Sequence, residues 1–174
     1  MEPSPVDAVP SFRHFVLAFG INLLLWLLLV GKLRPQEVVL GALVALVVTL
    51  AAGPRLAVLT GLRLSPTAPV YLIWYLGVFL AQLLKANLQL ARLVLSPSLP
   101  IHPAVVEVRT GLRSSLGRIL LANSITLTPG TLTVDVQDDR ILVHWVDCPP
   151  GADLEAATQA MVSAFERPLS GFLT

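Results

Sequence analysis

Cysteine is almost missing from this chain: Cys148 stands alone among 174 residues, which excludes an intramolecular disulfide and a thiolate-based zinc cluster. Charge is scarce too. Asp, Glu, Lys and Arg make up 13% of the residues, against roughly 25% in a typical soluble domain. There is no run of like charge of the kind that binds nucleic acid. A cleavable leader is not expected, because Glu2 and Asp7 precede the first apolar run and Gly31-Lys32-Leu33-Arg34 follows it where a small-residue cleavage site is required. Ser114, Ser115 and Ser124 lack a nucleophile elbow and ordered His/Asp partners. No phosphate-binding loop or dinucleotide fingerprint is present. The only tight grouping of metal-ligand types is His144, Asp147 and Cys148, which straddle a strand end with no second cluster, and His102 reads as a solvated linker side chain. No catalytic, cofactor-binding or metal-binding residue is therefore assigned, and the chain is not expected to be an enzyme.

What is present is hydrocarbon. Apolar residues make up 55% of the chain, and the mean hydropathy is +0.76, so a membrane protein is the first reading. Phe15 to Val30 is apolar except for Asn22, giving a first transmembrane helix near 12–30. An amide at mid-depth is costly unless another helix supplies a hydrogen bond. Pro35 and Glu37 suit the opening turn of a second helix, near 36–52, where a missing N–H and a carboxylate are both favourable. Gly41 and Ala45 lie one turn apart on it as a small-xxx-small pair, a surface that lets another helix approach closely. The short link between these helices implies an antiparallel hairpin.

A third helix is expected near 70–95. Tyr71, Trp74 and Tyr75 cluster at its start, where amphipathic rings favour the membrane boundary. Gln82, Lys85, Gln89 and Arg92 then recur at helical spacing, so its last part should leave the bilayer as an amphipathic continuation against headgroups or a partner protein. Residues 1–100 hold seven Lys/Arg against three Asp/Glu, and residues 101–174 hold five against eight, which suggests two environments. Division into a transmembrane part, 1–100, and a small cytoplasmic domain, 101–174, follows. With three spans, the positive-inside rule places residues 101–174 in the cytoplasm and the N-terminus outside.

The cytoplasmic part reads as α+β, in the order strand, helix, strand, strand, helix. Ala104 to Arg109 alternates as a strand, with Val106 and Val108 on one face. Ser114 or Ser115 caps a helix whose face is Leu112, Leu116, Ile119 and Leu120, with Arg113 and Arg118 directed toward acidic headgroups or phosphate. The following Ser/Thr-rich stretch reads as strand-like. Thr128-Pro129-Gly130-Thr131 suits a type II turn, and Leu132, Val134 and Val136 form the apolar face of the next strand. Gln137 to Arg140 turns the chain into a strand from Ile141 to Val146. Asp153 caps a last helix with Leu154, Ala157, Met161 and Phe165 inward, ending before Pro168.

Three segments carry a family resemblance: LRPQEVVLGALVAL at Leu33 to Leu46, ANLQLARLVL at Ala86 to Leu95, and above all ANSITLTPGTLTVDV at Ala122 to Val136. With the three apolar spans they resemble the E-type subunit of the Mrp-type multisubunit Na+/H+ antiporter, from the first helix to about Trp145. The resemblance implies membership of a bacterial inner-membrane complex of several different subunits that exchanges cytoplasmic Na+ for external H+. It further implies that the large subunits carry the ion pathways while this small one supports assembly and activity. The expected partners are those other subunits and the lipid bilayer. No ion ligand is carried over to any residue here. The candidate subunit-packing residues are Asn22, Gly41, Ala45, Gln82, Lys85, Gln89 and Arg92. The competing reading, a membrane-anchored ligand-binding or enzymatic domain at 101–174, is weakened by the missing catalytic grouping.

Overall fold

The structure is a computed structural model, and it describes residues 11–53, 56, 59, 61–63, 65–97, 101–149, 151 and 153–173. The tail bearing Glu2 and Asp7, Arg55, and the end of the linker at 98–100 lie outside the described residues. Two compact units divide at Thr60/Gly61, so the third helix shares a unit with the sheet instead of with the first two helices, unlike the expected division at 100/101.

The first unit holds α1 (Phe12–Val30) and α2 (Pro35–Ala51), packed against each other. Their ends follow local chemistry. His14 Nδ1 accepts the Ser11 backbone N–H at 3.0 Å. Gly31 closes α1 in the left-handed region, φ 66°, and its N–H donates to the Leu27 carbonyl at 3.0 Å. Pro35 sits in the first turn of α2 with Glu37 beside it.

The second unit begins with α3 (Ala68–Val94), followed by β1 (Ala104–Arg109), α4 (Ser115–Leu127), β2 (Thr131–Gln137), β3 (Arg140–Trp145), α5 (Leu154–Met161) and α6 (Ser163–Leu169). The sheet is antiparallel throughout, in the order β1-β3-β2. Val108 lies opposite Ile141, Val106 opposite Val143 and Ala104 opposite Trp145 on the face toward the helices. The core there is built from Val108, Leu121, Ile125, Ile141, Val143, Val162, Phe165 and Leu169. Asp138, at φ 49°, turns β2 into β3.

Several local expectations are corrected. The Ser/Thr-rich stretch after Leu121 is helical, because Ser124 Oγ donates to the Leu120 carbonyl at 2.7 Å and its hydroxyl needs no strand partner. The buried face of α4 is Gly117, Leu121, Ala122, Ser124 and Ile125, while Ile119 is exposed. Leu132 and Val134 do not face the core. Thr131 and Thr133 face α4 instead, their hydroxyls donating to the Ile125 and Ala122 carbonyls at 2.6 and 3.0 Å, and a register shift between Thr133 and Asp135 interrupts the alternation. Arg118 does not reach outward for an anion, since Nε and Nη2 donate to the Leu112 and Arg113 carbonyls at 3.0 and 3.1 Å. The expected last helix is two, broken at Val162, and Pro168 is a buried member of α6 instead of the residue beyond its end. Leu154 is exposed. Ser114 and Asp153 do cap their helices, accepting from the backbone N–H groups of Gly117 at 3.2 Å and Ala156 at 2.8 Å.

Glu166 fastens α6 to the loop after β1. Its Oε1 accepts from Thr110 Oγ1 at 3.0 Å and also from the Gly111 N–H. Bonds to a charged acceptor are worth about 1.5–3 kcal/mol each, and Glu166→Ala removes two. Because one oxygen accepts both bonds, the expected loss falls short of their sum, at about 2–4 kcal/mol, read from thermal unfolding of the purified chain in micelles. An unchanged midpoint would show that the carboxylate does not hold this loop.

Candidate functional site

α3 organises the second unit and carries four of the seven packing candidates. Its inward stripe is Ala68, Tyr71, Tyr75, Val78 and Phe79 on the hydrophobic core, continued by Gln82, Ala86 and Gln89 along the groove beside the sheet. This spacing of three and four residues is one side of a helix. Tyr75 Oη lies 2.8 Å from the hydroxyl of Ser124, a buried residue of α4, and its ring meets Phe172 edge-on at 6.3 Å. Phe79 meets Phe165 of α6 at 6.4 Å. Tyr71 and Tyr75 thus pack against the core of the chain's own sheet unit, while Trp74 is exposed.

Past Phe79 the packing loosens into a cavity of about 220 Å³. Gln82, Lys85 and Gln89 line one wall, Thr128 and Pro129 the rim, and Ile125, Met161 and Phe165 are among its apolar lining. A second cavity of about 550 Å³, lined by Arg92, Trp145 and Asp147 among others, continues along α3. The polar stripe therefore faces this chain's own Thr128–Gly130 turn, whose Gly130 has φ 93°. The first cavity has an ammonium and no carboxylate in its lining. That electrostatic setting disfavours a monovalent cation and suits an anionic or hydrogen-bonding group. Sequence reasoning identified the stripe but missed what lies opposite it, because Thr128 and Trp145 come into register only through α4 and the sheet.

The other three candidates lie in the α1–α2 hairpin. Asn22 Nδ2 donates to the Ala18 carbonyl at 3.0 Å and to Thr49 Oγ1 at 3.4 Å, so its N–H donors find partners within the hairpin. Gly41 and Ala45 are buried, and a Cβ on Gly41 would overlap the Trp26 ring of α1. The close approach they permit is used by a helix of the same chain. Elsewhere, His102 Nδ1 lies 3.4 Å from Asp147 Oδ1, His144 stands on β3, and Cys148 is buried with Sγ 3.6 Å from the Pro149 carbonyl.

Residues 19–171 match the family described as "Na+/H+ ion antiporter subunit". The chain belongs to this family. The match takes in both units of the chain, from α1 through α6. The E1 subunit of a Na+/H+ antiporter from Staphylococcus saprophyticus is 35% identical over 132 residues, covering 73% of this chain and 80% of that protein. Its counterpart from Staphylococcus haemolyticus is 32% identical, covering 80% and 84%. Among solved structures, a chain of the membrane-bound sulfane sulfur reductase, an archaeal respiratory membrane complex, superposes with a TM-score of 0.78 at 37% identity. That likeness covers 90% of this chain and 96% of the other.

Proposed function

We propose that this protein is an accessory, structural subunit of a multisubunit monovalent cation (Na+)/proton antiporter in a bacterial inner membrane, supporting assembly and activity without carrying the ion pathway. The observation that carries this reading is the family match over residues 19–171. It is supported by where ionisable groups fall in the hairpin: Arg13, His14 and Glu37 all lie in the first turns of α1 and α2, and the remainder of both helices is uncharged. Translocation paths need ionisable or coordinating groups within the membrane. As a transporter component, the chain is assigned no reaction of its own. Its partners are the other subunits of the complex and the surrounding lipid.

Two membrane arrangements are open. α1 and α3 are each long and apolar enough to cross, and α2 is a shorter apolar helix of 17 residues. If all three cross, residues 101–174 are cytoplasmic and the N-terminus is external. If only the hairpin crosses, residues 101–174 remain cytoplasmic and the N-terminus joins them. The packing of α3 favours the second.

The test is deletion of this protein beside its genetic neighbours, with the complex captured through a tag on another subunit. Loss of Na+/H+ exchange in everted vesicles, together with loss of an intact complex, is the expected result. Na+/H+ exchange by the isolated chain in proteoliposomes would overturn the accessory reading. The respiratory neighbour supports a second reading, in which the same fold braces a redox complex. Co-purification with redox subunits in place of antiporter subunits would favour it.

A further inference from the structure

We propose that α3 lies along the cytoplasmic surface of the bilayer instead of crossing it, with Ile73, Leu80, Leu84 and Leu88 dipping into the acyl boundary and the sheet unit on its water side. This rests on the reading of the chain as a membrane subunit. Length sets the first constraint. α3 has 27 residues and is about 40 Å long at 1.5 Å per residue. Its inward stripe packs on the core of the sheet unit from Ala68 to Phe79 and lines two cavities beside that unit as far as Leu93. A spanning α3 would carry that unit through the hydrocarbon with it.

The sheet unit cannot enter hydrocarbon. β1 and β2 are edge strands with a neighbour on one side only, and open sheet edges facing lipid leave backbone groups unsatisfied at several kcal/mol each. Arg109 and Asp135 are exposed on these strands, Asp138 and Asp139 at the hairpin tip and Arg140 at the start of β3, where it pairs with half-buried Glu107 at 3.1 Å. Charges in these places need water.

The opposite side of α3 has the character of an interfacial helix. Ile73, Leu76, Leu80, Leu84 and Leu88 recur at three or four residues and are all exposed. Trp74, Lys85 and Arg92 lie along one flank of that stripe, separated by about three and two helical turns. α3 holds these two cations and no acid. An apolar stripe bordered by cations and an indole matches the boundary between acyl chains and anionic headgroups. Asn87 falls within the stripe, and its Nδ2 donates to the Leu83 carbonyl at 2.8 Å, so that amide enters already paired. Hydropathy and length alone do not separate the two placements; the covered side of α3 does. Arg13, Arg63, Lys85 and Arg92 then share one face of the membrane and Lys32 and Arg34 the other, which keeps the larger group cytoplasmic.

The experiment places single cysteines at the two ends of α3, Thr67→Cys and Pro97→Cys, in the full chain expressed with its complex. Buried Cys148 supplies the background. With a membrane-impermeant maleimide, neither site is labelled in sealed cells and both are labelled in everted vesicles. Labelling of Thr67→Cys in sealed cells, with Pro97→Cys labelled only after eversion, would sink the proposal. Spin labels at Ile73→Cys, Leu80→Cys and Leu88→Cys should report one shallow depth in liposomes; a depth maximum at Leu80 flanked by shallow ends is the contrary result. Alkaline carbonate extraction separates this question from the one beneath it. Release of the chain would remove the membrane reading itself, whereas the labelling pattern bears on α3 alone.

Discussion

Leu121→Ala is expected to destabilise the sheet unit by about 2–5 kcal/mol, the range for emptying a fully enclosed leucine site. Leu121 is 0% exposed and belongs to the core cluster with Val108, Ile125, Ile141, Val143 and Leu169. These neighbours come from two strands and two helices, so no single side chain can relax into the vacancy. The measurement is thermal or denaturant unfolding of the purified chain, followed by a probe in the sheet unit such as Trp145. A shift of the midpoint below what about 1 kcal/mol produces would mean that the site collapses, or that α4 is not seated as described. Ile119→Ala on the same helix supplies the contrast. Ile119 is 49% exposed, and an exposed truncation of this kind stays within about 0.5 kcal/mol.

That contrast also marks how far the sequence could be read. The α1–α2 hairpin was legible almost to the residue, because its ends are written in local chemistry: Gly31 must close a helix and Pro35 can open one. The polar stripe of α3, Gln82, Lys85, Gln89 and Arg92, was legible as a helical face, but what it faces was not. Tyr71 and Tyr75 have the same composition at a lipid boundary as against a protein core, and only the fold brings Ser124 and Phe172 to them. β2 failed for a different reason. Alternation predicts that Leu132 and Val134 point inward, yet threonine hydroxyls satisfied by α4 carbonyls can take the inner positions, and the shift at Thr133/Asp135 re-phases the remainder. A similar ambiguity hid the helical state of the stretch after Leu121, where Ser124 bonds back to its own turn. Of the candidate site, Gly41 and Ala45 were found as small residues, but that their neighbour is Trp26 of the same chain depends on which helix arrives.

Gly171→Ala tests the seating of α3 on the sheet unit from the other side. Gly171 follows α6, and a Cβ placed there would overlap the Tyr71 ring near its attachment, where the side chain cannot swing away without moving its backbone. The surrounding chain is fixed: the Arg63 N–H donates to the Phe172 carbonyl at 2.9 Å, and Leu62 and Leu173 form a bridge. Overpacking at such a point costs about 1–3 kcal/mol. Relief should come through α3, with Tyr71 forced out and the contacts of Tyr75 and Phe79 loosened in turn. Gly171→Ala should therefore lower the unfolding midpoint and expose the α3 groove to proteolysis. In a Tyr71→Ala background the same substitution has room for its methyl group, so the pair should be less damaging than the sum of the two singles by about 0.5–3 kcal/mol. Strict additivity would show that the glycine is not there to admit Tyr71. The coupling would establish that the first turns of α3 are seated on the segment after α6, where Gly171 leaves room for the Tyr71 ring.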